Sequence, residues 1–141
     1  PLPNPDVPAV QVFYSFAEWL HNNPMQIISW EMELYEPYLM YGGTADAIAR
    51  DDEGRIVILD WKSGNRVYDE TAKQLVAYAM AYSAMNYYNP QFDQMRAIAI
   101  RLGKDSPSFE VKEVANLEET WVTFAHVMDV YNDRNYKPWR K

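Results

Sequence analysis

The chain alternates between stretches with a period of two and stretches with a helical period. Residues 25–35 place Ile28, Trp30, Met32 and Leu34 on one side, and Ile27, Ser29, Glu31, Glu33 and Tyr35 on the other. That alternation predicts a strand. Glu36-Pro37 then turns the chain into a second strand, which leads through Gly42-Gly43 to residue 50. Residues 44–50 and 56–62 are rich in apolar and β-branched residues and are bounded by turn chemistry, so both read as strands. Residues 94–102 and 109–114 read as two more, around a turn at 103–107. Helical spacing appears at Phe13, Phe16, Ala17 and Leu20 in a helix over 9–22, stopped by Asn22-Asn23-Pro24. It appears again at Leu75, Tyr78, Tyr82 and Met85 in a helix over 70–88, which Asp69 can cap and Asn89-Pro90 ends. A last helix over 116–132 carries Leu117, Trp121, Phe124, Met128 and Tyr131 as its core stripe, with Asn116 and Glu119 spaced as a capping box. The order predicts an α/β fold: a central mixed sheet that begins as an antiparallel meander, with helices on both faces. The crossover helix 70–88 allows strand 94–102 to lie parallel to strand 56–62.

Chemistry concentrates around the turn Asp51-Asp52-Glu53-Gly54-Arg55. A three-residue loop, Asp52-Glu53-Gly54, with glycine in the left-handed position closes a hairpin and pairs Asp51 with Arg55. Counting back along that ladder pairs Asp46 with Asp60, their Cβ atoms about 5 Å apart. Like charges in that position destabilise a sheet unless something positive lies between them, and a divalent cation meets the need. Two hard oxygen ligands suit Mg²⁺ or Mn²⁺. Side chains alternate along a strand, so Lys62 shares the face of Asp60 while Trp61 points to the other. Gln74 and Tyr78, four apart, share one face of the following helix. Ser63-Gly64-Asn65-Arg66 forms a loop at the mouth of this group. Gly43 has two readings: close approach of a backbone or a phosphate beside Asp46, or a bend in the strand.

Gly43-Thr44-Ala45-Asp46, Asp60-Trp61-Lys62 and Gln74-x-x-x-Tyr78, in that order, resemble the PD-(D/E)XK nuclease superfamily. The Gln-x-x-x-Tyr helix points to its RecB-type exonuclease branch, which includes phage, mitochondrial genome-maintenance and CRISPR-associated exonucleases. The resemblance covers residues 27–82 directly. It implies a restriction-endonuclease-like core and a metal-dependent deoxyribonuclease, acting on single-stranded DNA or free DNA ends. It further implies Asp46 and Asp60 as ligands of one or two Mg²⁺ or Mn²⁺ ions, with the Trp61 backbone carbonyl and Glu31 as additional ligands, and Lys62 as the catalytic lysine. Glu33 competes with Glu31 on the same strand face. Gln74, Tyr78, Ser63 and Gly43 fall to substrate binding. Two other readings stand beside this one: a structure-selective endonuclease or resolvase of the same superfamily, and a catalytically silent nucleic-acid-binding module.

Composition changes the picture at three points. The 141 residues, 48 % of them apolar, suffice for one domain with a real core. That domain is expected over 9–133, preceded by a proline-rich arm over 1–8 and followed by a basic, aromatic tail over 134–141. No apolar run approaches a membrane span and no signal peptide is visible, so an intracellular location with no membrane partner is expected. Cysteine is absent, which excludes disulfides, Cys-ligated zinc and an iron–sulfur cluster. The formal net charge of −7 argues against a broad basic footprint for nucleic acid and places any DNA affinity in a local groove and in the metals. His21, His126 and Lys73 read as structural or solvated residues.

Overall fold

β2 (Tyr41–Asp51) and β3 (Ile56–Ser63) form the expected hairpin in this computed structural model, which describes residues 8–64, 66–67, 69–87, 91–103 and 108–135. The Asp51 N–H donates to the Arg55 carbonyl at 3.0 Å, and Gly54 has φ +79°, a conformation open to glycine without a Cβ penalty. The ladder then runs from Arg50–Ile56 to Ala47–Leu59, in the register that the loop length sets. β1 (Met25–Glu36) pairs antiparallel with β2, β4 (Met95–Leu102) runs parallel to β3, and β5 (Phe109–Glu113) returns antiparallel to β4. The five strands lie in chain order, β1-β2-β3-β4-β5. The parallel pair is joined by α2 (Asp69–Asn86), the crossover that such a connection needs. This is the α/β architecture of a restriction-endonuclease-like core.

The sheet buries both faces. Ile56, Ile58, Ala97 and Ala99 pack under Leu75, Val76 and Ala79 of α2, with Leu117 and Trp121 of α3 (Leu117–Asn135) closing that side. Val57, Leu59, Ile98 and Ile100 pack on the opposite face with Phe16 and Trp19 of α1 (Pro8–Asn22). Alternation along β3 and β4 therefore serves two cores at once, as expected for strands covered on both sides. The Tyr41 hydroxyl donates to the Ala77 carbonyl at 2.7 Å and ties α2 to the start of β2. Asn116 Oδ1 accepts the Glu119 N–H at 2.9 Å and caps α3. Among the described residues no helix is long and apolar enough to cross a membrane.

Three expectations from the periodicity change. On α1, Phe13 and Ala17 are exposed, and Val12, Phe16 and Trp19 make the core contacts. On α2, Met85 is exposed, while the buried set runs almost around the helix from Thr71 to Ser83. On β1, the single apolar face does not exist. A bulge at Ile28 shifts the register between Ile27 and Ser29. Beyond it, Trp30 packs on Trp61 with ring centroids 6.0 Å apart, whereas Met32 and Leu34 join the core under α2. The strand changes faces at Glu31, whose φ of +49° is left-handed. The arm before residue 8, the turn at 104–107 and the tail after residue 135 lie outside the described residues.

Candidate active site

The ladder between β2 and β3 stops at Ala47–Leu59, one rung short of Asp46 and Asp60. There the Asp46 side chain takes over a backbone role: its Oδ2 accepts the Trp61 N–H at 2.7 Å. Alternation breaks at the same residue, because Ala45 belongs to the core under α2 and Ala47 to the core under α1. Asp46 thus enters the gap between β2 and β3 beside Asp60.

Asp60 is 4 % exposed. Its Oδ2 meets Lys62 Nζ as an ion pair at 2.9 Å, yet that oxygen is buried with no directed hydrogen bond. Burial raises the Asp60 carboxyl above its usual range. The Lys62 ammonium opposes that shift, and the Asp46 carboxylate beside it adds to it. A buried carboxylate whose oxygen is met only by the Lys62 ammonium, next to a second carboxylate, is a donor set a hard divalent cation would satisfy. The residues present therefore fit such an ion through Asp46 and Asp60.

The other expected residues extend from this pair. Lys62 Nζ donates to Gln74 Oε1 at 3.1 Å, and Gln74 Nε2 donates to the Tyr78 hydroxyl at 3.0 Å. The chain Asp60–Lys62–Gln74–Tyr78 fixes the lysine from both sides. What Gly43 accommodates is the Tyr78 ring: a Cβ on Gly43 would lie 2.7 Å from ring atom Cε1 and 3.2 Å from the hydroxyl oxygen. Trp61 points to the far face, as alternation requires, and packs near Phe16 and Trp30. Ser63 is exposed at the end of β3. Glu31 stands opposite Asp46, between the rungs Trp30–Ala47 and Met32–Ala45, but it is exposed. Among the described residues no three acidic or histidine side chains gather into a metal-binding group. Glu33 is likewise exposed on β1.

Sequence reasoning missed Arg101. It is the β4 partner of Lys62 and is buried. Its Nη1 donates to the Gly64 carbonyl at 3.2 Å and to Ser108 Oγ at 3.0 Å. The guanidinium therefore holds the corner where β3 turns toward α2, between Lys62 and its partner Gln74. An arginine amid the apolar run of 94–102 is a signal that could have found it.

Residues 8–138 match the PD-(D/E)XK nuclease superfamily. The chain belongs to that superfamily, whose members generally use divalent metals such as Mg²⁺ or Mn²⁺. Among solved structures it is similar to one titled "Crystal structure of SSO0001", with 17 % identity and a TM-score of 0.42 over 84 % of this chain. The match spans 56 % of the length of that other chain. No curated protein sequence matches.

Proposed function

We propose that the chain is a Mg²⁺- or Mn²⁺-dependent deoxyribonuclease of the RecB-type branch, acting as an exonuclease on single-stranded DNA ends. The observation that carries the reading is Asp46 beside Asp60, with the linked chain Asp60–Lys62–Gln74–Tyr78 extending from it. Asp46 and Asp60 would hold the ion, with the Trp61 carbonyl and Glu31 as further candidate ligands. A bound divalent ion supplies Lewis-acid polarisation of the phosphate and a lowered pKa for the attacking water. Lys62, held between Asp60 and Gln74, places fixed positive charge where the transferring phosphoryl group gains negative charge, a contribution made without reorganisation during the reaction. Gln74 orients Lys62 through its carbonyl, and through its amide the Tyr78 hydroxyl. Tyr78 presents a ring and a hydroxyl to the substrate.

The test is digestion of end-labelled linear and closed circular single-stranded DNA with Mg²⁺ or Mn²⁺. Linear strands should shorten from an end and circles should survive. Lys62→Ala should lose cleavage by about a hundredfold or more while keeping its Mn²⁺ affinity in calorimetry. Cutting of circles would replace the exonuclease with an endonuclease of the same superfamily. Intact linear DNA under both metals would leave a binding module and defeat the nuclease reading.

A further inference from the structure

One strand beyond Asp60, a cavity of about 320 Å³ opens between the first turns of α2 and α3. Ala99 in its wall is the β4 partner of Asp60 and, on its other side, the partner of Lys112 in β5. Neighbouring strands lie about 4.8 Å apart, so the cavity begins directly beside the strand that carries Asp60. Ala99 belongs to the core on the α2 face, the face of Asp60. Val67, Leu75 and Val114 give the cavity further apolar walls. Thr71 also lines it and is 8 % exposed, which places one hydroxyl in an otherwise apolar wall.

We propose that this cavity receives a nucleobase of the substrate, the one attached to the nucleotide whose phosphate lies at Asp60 and Lys62. This rests on the nuclease reading above and adds a base subsite to it. Asp69, Glu113 and Glu119 outnumber Lys112 in the lining, so the cavity disfavours a phosphate and offers acceptors for N–H groups, which suits a neutral, flat heterocycle with amino groups on its edge. Apolar walls suit its faces, and Thr71 can donate to or accept from its edge. One turn of α2 separates Thr71 in the cavity from Gln74 at Lys62, so the same helix would hold base and phosphate in fixed relation.

The test is NMR titration of the full chain, without metal, by deoxycytidine, thymidine and inorganic phosphate in turn. Deoxycytidine should shift the amides of Thr71, Ala99 and Asn116, bind more tightly than thymidine, and lose about five- to tenfold in affinity in Thr71→Val with the melting temperature unchanged. Phosphate should leave those amides unmoved. Absence of a deoxycytidine shift at these amides, or an equal shift by phosphate, overturns the proposal. Binding is read here without cleavage. DNA cut by a chain that ignores deoxycytidine defeats the base subsite alone. Deoxycytidine bound by a chain that cuts no DNA defeats the nuclease reading alone.

Discussion

Gly43 has no room for a side chain because the Tyr78 ring lies against its Cα, with 2.7 Å left for a Cβ. Gly43→Ala should push that ring away, weaken the Gln74–Tyr78 hydrogen bond and leave Lys62 less firmly held. Overpacking of this kind costs about 1–3 kcal/mol, and a misplacement of about 1 Å near the reacting group can cost on the order of a hundredfold in rate. Thermal melting and single-turnover cleavage of Gly43→Ala, measured beside Tyr78→Phe, separate the two effects. Tyr78→Phe keeps the ring and should keep stability. Parental cleavage by Gly43→Ala would show that the ring's position does not matter. The glycine was legible in the sequence but its neighbour was not, since the contact joins residues 35 positions apart on different elements. The neighbourhood of Asp46 and Asp60 was legible because a tight turn fixes the register by counting, but the ladder ends at Ala47–Leu59 and Asp46 accepts the Trp61 N–H in place of the expected rung. Glu31 was legible as an acid on β1, but its left-handed backbone at φ +49° was not. A non-glycine residue in that region carries strain that the surrounding structure must impose, and the bulge at Ile28 and the break in alternation at Asp46 both lie close to it.

The β2–β3 hairpin depends on Asp51 as much as on its glycine. The Asp51 carboxylate accepts the backbone N–H groups of Glu53 and Arg55 at 3.0 and 2.9 Å, and it pairs with Arg55 Nε at 2.9 Å and Arg96 Nη1 at 3.3 Å. Burial alone would raise its pKa, but the Arg55 N–H and the two guanidinium groups outweigh burial and hold it below the ordinary value of 3.8. A carboxyl depressed in the folded state stabilises the fold fully above its unfolded pKa and loses that contribution as pH falls through the folded value. Asp51→Asn should therefore melt well below the parent at neutral pH, with a gap that narrows as the solution becomes strongly acidic. A gap independent of pH would show that the ionised form is not what matters. At this scale the sequence was most readable where local chemistry decides, as in this loop, the Asn116 cap and the crossover helix. It was least readable on β1 and α1. A bulge re-aims Trp30 there, and the neighbouring elements, not the spacing, decide which of Phe13 and Phe16 is covered.

The whole molecule carries 20 acidic side chains against 13 lysines and arginines, and several of its cations already have partners. Arg50 donates to the Gly54 carbonyl, Arg55 pairs with Asp51, Arg96 with Glu113 and Asp51, and Arg101 serves Gly64 and Ser108. Lys62 is held by Asp60 and Gln74. These five cations are engaged within the protein, and the net charge of −7 opposes a broad basic footprint. On the proposed reading, affinity comes chiefly from the metal-bound phosphate and from contacts that release no counterions, such as a base in the cavity beside Ala99. Single-stranded DNA binding should accordingly respond weakly to salt. The logarithm of affinity falls with the logarithm of salt by roughly 0.7 for each phosphate neutralised on a single strand, so one or two contacts give a slope of about −1. Fluorescence anisotropy of labelled single-stranded DNA on Lys62→Ala with Mn²⁺, across a salt series, reads that slope without cleavage. A slope of about −4 or steeper would mean that five or more phosphates meet basic groups, and would move the binding surface away from the acidic site to a basic one elsewhere on the chain.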